Sequence, residues 1–260
     1  MRALLAVVLS LLLSSAVFAE ALNGSVEKKD LFGGDSQVVD STTGDGIPNA
    51  RVGLPSKNYS TRTDENGHFS LNSPVDKPTI MSVDKDGYKP FSVTIDQTSA
   101  SKPIVIGIEK ANPQNVVVES DLIHLGDNSY SAESANAGEF SSKSVGAFYT
   151  KSFPIKGLKG DEDAYLYIGS IIGIDTLAAR KMGQSKVTTA YAEAPQVFCN
   201  GNKIAEIKIN GDGQEIKIPK QLINPSGDNE ITIKAGKNLF QSAYIDYDDI
   251  EFTNLQVEIK

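Results

Sequence analysis

Tryptophan is absent from this 260-residue chain, and cysteine and histidine are scarce, at one and two residues. The lone Cys199 excludes an intramolecular disulfide, so the cores must hold without covalent staples. Segments of roughly 90 to 150 residues bury enough apolar surface for that. His68 and His124 are too far apart in sequence to form the two-histidine helix of a zinc peptidase. Basic residues are also in deficit: 25 Lys and Arg against 33 Asp and Glu give a formal charge of -8. A chain without cationic excess has little with which to neutralise a phosphate backbone, which excludes nucleic acid as a partner class. Long apolar runs are missing beyond the first twenty residues, so no later segment reads as a membrane span.

What is present begins with a sorting signal. Arg2, the apolar run Ala3 to Leu13 broken only by Ser10, and Val17-Phe18-Ala19 fit a secretory leader cleaved after Ala19. Export to the periplasm or the extracellular space is the expectation, with no span left after cleavage; a retained anchor over Ala3 to Ala19, just long enough to be marginal as a span, is the competing reading. Beyond the leader, runs of four to eight residues alternate with Gly, Pro, Asn and Asp clusters, and a sustained 3.6-residue period is almost wholly missing. The pattern predicts an all-β protein. Glu109-Lys110-Ala111-Asn112-Pro113-Gln114 reads as a short polar linker. The expected organisation is therefore a signal at 1–19, a first module at 20–110, a linker at 111–115 and a second module at 116–260.

Strands are expected in the first module at Leu22–Val26, Ala50–Leu54, Ser60–Thr63, His68–Leu71, Thr79–Asp84, Lys89–Ile95 and Ile104–Ile108. The turn Thr63-Asp64-Glu65-Asn66-Gly67 places a glycine just before Phe69 enters the core. Thr43-Gly44, Ile47-Pro48-Asn49-Ala50-Arg51-Val52, Thr61 to Phe69 and Gly87-Tyr88, in that order, resemble the carboxypeptidase regulatory-like domain. The resemblance implies a seven-stranded transthyretin-like β-sandwich without catalytic machinery.

In the second module, Asn200-Gly201 fits a tight hairpin turn. Asn229 to Lys234 alternates, and Asp248-Asp249-Ile250-Glu251-Phe252 leads into Leu255, Val257 and Ile259 at period two. These features are similar to the galactose-binding-like jelly roll of many carbohydrate-binding modules. That resemblance implies a second β-sandwich in which first and last strands pair antiparallel, and it leaves the ligand open, because the architecture serves many purposes.

Candidate chemistry is sparse. His68 reads as an exposed strand residue, and His124 as solvent-facing or hydrogen-bonded. Cys199, in an apolar run, reads as a small buried hydrophobe. The serines from Ser129 to Ser144 lack a nucleophile elbow. Paired first and last strands would bring Asp127 beside Asp248 and Asp249, and converging carboxylates suit calcium, a structural cofactor here. An exposed acidic strand end is the competing reading. Tyr165 and Tyr167 alternate with Leu166 and Ile168, so both rings share a sheet face that can stack on a sugar; Phe148, Tyr149 and Tyr191 are further ring candidates. The functional expectation is an exported, non-enzymatic protein whose second module binds a neutral polysaccharide or cell-surface glycan. A structural or adhesion protein making protein contacts is the alternative, and a polysaccharide-active enzyme a third.

Overall fold

The computed structural model describes residues 26–28, 36–127, 140–185, 191–240 and 244–260; the expected leader, most of the expected strand Leu22–Val26 and most of the serine-rich stretch lie outside these ranges. The chain is all-β, as its punctuation predicts. The first module contains β1 (Val26–Lys28), β2 (Ser36–Asp40), β3 (Arg51–Leu54), β4 (Tyr59–Arg62), β5 (His68–Phe69), β6 (Thr79–Asp84), β7 (Phe91–Ile95), α1 (Gln97–Ala100) and β8 (Ile104–Ile108). One sheet runs β1-β8-β2-β5 and the other β4-β3-β6-β7, with Val38, Val52, Phe69, Met81, Ile95 and Ile106 in the core between them. Among the described residues eight strands stand where the family resemblance implies seven. β2 is the strand that alternation does not reveal, since Val38-Val39 is too short a run. Its place is fixed by parallel pairing with β8, from Gln37 opposite Val105 to Asp40 opposite Ile108.

Gly67 shows how a turn residue sets this core. Its φ is +81°, and a Cβ there would lie 2.7 Å from the Ile47 nitrogen and collide with the Val38 carbonyl. Both groups are occupied, because Ile47 N donates to Val38 O at 2.8 Å and Val38 N to Gly67 O at 2.8 Å. Gly67→Ala therefore combines a left-handed backbone with displacement of two buried hydrogen bonds, and it should cost about 3 kcal/mol or more. A melting temperature about 5–10 °C below wild type is the expected result, and an unchanged melting curve would refute this account of the turn.

The second module contains β9 (Val116–Glu119), β10 (Ile123–Leu125), β11 (Phe148–Pro154), β12 (Ala164–Ile172), α2 (Leu177–Lys181), β13 (Gln196–Cys199), β14 (Asn202–Glu206), β15 (Gly211–Ile218), β16 (Asp228–Lys234) and β17 (Ile250–Ile259). Its sheets are β10-β17-β12-β15, with β9 also on β17, and β11-β16-β13-β14. The β13–β14 hairpin turns on Asn200 and Gly201 at φ +48° and +77°, the positive pair its two-residue turn demands. β10 pairs antiparallel with β17, Leu125 opposite Ile250. The core between the sheets includes Leu166, Ile168, Val197, Ile231, Phe252 and Leu255.

β12 and β17 share an irregularity. Core-facing residues run Ala164, Leu166, Ile168 and then Ile171 on β12, and Ile250, Phe252 and then Leu255, Val257 on β17. The alternation slips by one on both strands where Gly169 lies beside Asn254, whose φ is +56°. Every residue of β17 from Ile250 to Glu258 is buried, including Glu251, Thr253, Gln256 and Glu258, which face away from the module's own core. The cover comes from the first module. β7 packs across β12, β15 and β17, so the outer face of the sheet is an inter-module interface rather than a wet surface.

Candidate functional site

Tyr165 and Tyr167 do share the sheet face away from the core, but that face is occupied. Tyr167 is 9% exposed and lies beneath the Lys89 ammonium of the first module, 4.0 Å from its ring centroid. Lys89 also pairs with Glu258, a carboxylate on β17. Tyr165 is flanked by Lys217 and Lys260, at 5.8 and 5.3 Å from its centroid. Cations over aromatic faces satisfy the rings by the same interaction that would otherwise recruit a ligand. Tyr167 still edges an open cleft of about 610 Å³, in which Lys89, Lys110 and Lys260 stand beside Glu109, Glu215 and Glu258. The remaining clasp is polar: Thr94 donates from its amide and hydroxyl to the Asp212 carboxylate, the latter at 2.8 Å, and Gln256 Nε2 donates to the Pro90 carbonyl at 3.1 Å.

The β10–β17 pairing brings Asp127, Asp248 and Asp249 to one end of the second module but gives each a different partner. Asp127 accepts from the Tyr247 amide at 3.0 Å, and Asp248 from the Asp175 amide at 3.0 Å. Asp249 accepts from His124 Nε2 at 2.9 Å, while His124 Nδ1 donates to the Ser142 carbonyl. Both ring nitrogens thus face acceptors, an arrangement that only the imidazolium completes. Burial works against that charge, but the Asp249 carboxylate, the Ser142 carbonyl and Glu251 together raise the His124 pKa. Among the described residues, no three His, Cys, Asp or Glu side chains converge on a point that would hold a metal ion. The three aspartates are thus each held by a separate partner and, as placed, do not share a single point. The reason is local: Asp248 and Asp249 are consecutive in an extended segment and point to different sides.

This end is nevertheless an accumulation of buried acid. Asp175, Asp246, Asp248, Asp249 and Glu251 are each at most 2% exposed, and Asp248 Oδ1, Asp249 Oδ2 and Glu251 Oε1 accept no hydrogen bond from the described residues. Burial raises the Asp175 pKa to about 6 against the opposing Ser185 hydroxyl and Arg180 charge. It raises Glu251 to about 7 although His124, Lys77 and Ser142 work the other way. Asp248 is pushed well above the carboxylate range by burial, and repulsion from Asp175, Asp249 and Asp246 adds to that.

An open cleft of about 360 Å³ lies where the two modules meet. Pro78 and Thr94 contribute the first module's wall; Phe140, Gly173, Gln184, Asn210 and Asp212 are on the other side. Phe140 is seated by Gly173, because a Cβ there would collide with its ring, and it meets the His124 ring at 5.1 Å. Gln184 and Asn210 brace one another: Gln184 Nε2 donates to the Asn210 carbonyl and Asn210 N to Gln184 Oε1, both at 3.0 Å. Asn210 also accepts from the Ile174 amide at 2.7 Å, which ties the pair to the end of β12. The cleft therefore offers one aromatic wall, two braced amides and one carboxylate, and among the described residues its lining includes neither lysine nor arginine. Sequence reading missed it because its walls are distant in sequence and none of its residues stands in a motif.

His68 is partly exposed beside Asp64, with Nδ1 3.6 Å from its carboxylate. Cys199 is fully buried, and burial raises its thiol pKa to about 11, which leaves it an inert core residue. Tyr149 is turned into the module, donating to Glu119, whereas Phe148 is exposed. Among the described residues no helix is long and apolar enough to cross a membrane.

Residues 36–118 match the CarboxypepD_reg-like domain family, a non-catalytic β-sandwich domain. The match takes in β2 to β8 and most of β9. No curated protein matches the chain.

Proposed function

We propose that the chain is an exported, non-catalytic carbohydrate-binding protein that takes a short neutral glycan in the cleft between its modules. The carrying observation is the composition of that cleft: the Phe140 ring set against Gly173, with the Gln184 and Asn210 amides and the Asp212 carboxylate around it. A ring face suits the apolar side of a pyranose, and amides and carboxylates suit its hydroxyls. Without a lysine or arginine among the described residues of the lining, and in a chain of charge -8, polyanionic glycans are disfavoured. A volume of about 360 Å³ is near the lower end for small-molecule sites, which favours one or two sugar rings over a long polymer segment. The match to a non-catalytic domain supports a binding role over turnover.

Few contacts must offset the ordering of a flexible sugar, so dissociation constants should fall between roughly micromolar and millimolar. Calorimetry of the whole chain against panels of neutral and acidic oligosaccharides is the test. Phe140→Ala should weaken binding about tenfold, equivalent to about 1.4 kcal/mol, while Tyr165→Ala should leave it unchanged. The reverse pattern would return the site to the tyrosine face. Silence across both panels would favour a scaffold whose sandwiches contact protein.

A further inference from the structure

Leu177, Met182, Leu239, Phe240, Tyr244 and Ile245 are six of the nine exposed large apolar side chains among the described residues. They come from only two places, α2 with its following turn and the loop between Asn238 and Tyr247, and their exposures run from 46% to 62% and 63% at Met182 and Phe240. The two places are neighbours: Leu177, Lys181, Tyr191 and Leu239 line one shallow groove, Leu239 N donates to the Tyr191 carbonyl at 2.8 Å, and the Tyr191 and Phe240 rings meet at 5.7 Å. The charge beside them runs against that of the chain. Lys181 and Lys208 line the groove with Glu193 as its only carboxylate, and Lys237 precedes Asn238 at the base of the loop, in a protein whose formal charge is -8.

We infer that this end of the second module docks on an anionic bilayer surface. Contiguous exposed apolar side chains mark an interaction site, and a rim of lysines selects an anionic partner. A bilayer fits better than a folded protein. The apolar groups belong to α2 with its following turn and to positions 239, 240, 244 and 245, and among the described residues none of these stands in a strand and the groove beside them is shallow. Apolar tips entering the acyl boundary, with ammonium groups held at headgroup level, need no such shape. The glycan cleft uses none of these side chains, so the inference stands apart from the proposed function.

Co-sedimentation of the whole chain with vesicles tests it, comparing phosphatidylcholine alone with phosphatidylcholine carrying about 30 mol% phosphatidylglycerol. The bound fraction should be at least about fivefold higher on the anionic vesicles and should fall as salt is raised from about 0.1 to 0.5 M. Phe240→Ser with Ile245→Ser should lower partitioning about tenfold, and Lys181→Glu with Lys208→Glu should remove the preference for anionic lipid. All four positions are exposed or rim the groove, so melting curves of both variants should match wild type. Equal partitioning on both vesicles, no partitioning on either, or binding indifferent to both double variants overturns the inference. Capture of a soluble acidic protein through the same residues, with vesicles left unbound, overturns it in favour of a protein partner.

Discussion

The protein should be more stable near pH 5 than at pH 8, by on the order of a few kcal/mol. The effect comes from the acid end of the second module. Asp175 and Glu251 have ordinary values of 3.8 and 4.5 and are raised in the fold to about 6 and about 7, and Asp248 is raised further. Between the ordinary and raised values the folded state holds protons that the unfolded chain has released. Stability is therefore full below the unfolded values and is lost as pH climbs through the folded ones, between about 4 and 7 for Asp175 and Glu251. His124 acts in the same direction, because a raised histidine pKa contributes stability that disappears as pH rises through the folded value. Carboxylates with lowered values, such as Asp40 and Asp163, act oppositely and set the acid limit below about pH 4.

At about 2–4 °C per kcal/mol for a chain of this size class, the melting temperature should be at least several degrees higher at pH 5 than at pH 8. Asp248→Asn, which keeps the shape and removes the buried charge, should flatten the profile and raise the melting temperature at pH 8. A melting temperature that climbs from pH 5 to pH 8 would show that this end is neutralised by something other than protons. Calcium and chelator then test one such species: a calcium-dependent rise at pH 8 would mean that the carboxylates rearrange around an ion, and coincident curves would rule calcium out as the neutralising species.

Gly169→Leu should separate the two modules, with an added cost to the second module from its pressure on Asn254 of β17. A Cβ at Gly169 would collide with Ser92 Oγ and lie 2.7 Å from the Asn254 Cβ, so β7 sits on β12 only because position 169 has no side chain. Ser92 is 2% exposed and leaves no slack for a leucine. The two hydrophobic cores are separate clusters, which is why displacement of β7 should open the interface before it disturbs either core. The clasp at Thr94–Asp212, Lys89–Glu258 and Gln256–Pro90 would open together. Overpacking of this kind costs about 1–3 kcal/mol, comparable to what a polar inter-module interface can supply. Small-angle scattering should report a larger radius of gyration, Tyr167 should become accessible to solvent quenchers, and glycan affinity should fall about tenfold as the Pro78–Thr94 wall moves away. An unchanged scattering curve would mean that the interface tolerates the side chain and that Gly169 is not its limiting contact.

Much of each module was legible as a string of strands. Thr79–Asp84 and Ile104–Ile108 stand where alternation places them, and Asn200-Gly201 turns its hairpin as the residue pair requires. The antiparallel pairing of β10 with β17 was legible too, through family resemblance. Convergence of Asp127, Asp248 and Asp249 was not, because each carboxylate takes its own partner once the His124 ring and the Asp175 amide arrive from other strands. The surroundings of the tyrosine face were not legible for a comparable reason: alternation shows that Tyr165 and Tyr167 face the same way but is silent on what faces them. β17 reads as a half-buried strand, yet Gln256 and Glu258 are nearly fully enclosed by the other module.

By itself the sequence determined the all-β class, the strand and turn positions and the acidic, disulfide-free character, since these follow from the order of side chains along a few neighbouring residues. Only the tertiary structure decided that the outer face of β12 and β17 is an interface, that buried acids crowd round His124, and that Phe140, Asn210 and Thr94 share one cleft. Those outcomes depend on contacts between residues tens to more than a hundred positions apart, whose energies are set by what each face meets after folding and have no signature in local periodicity.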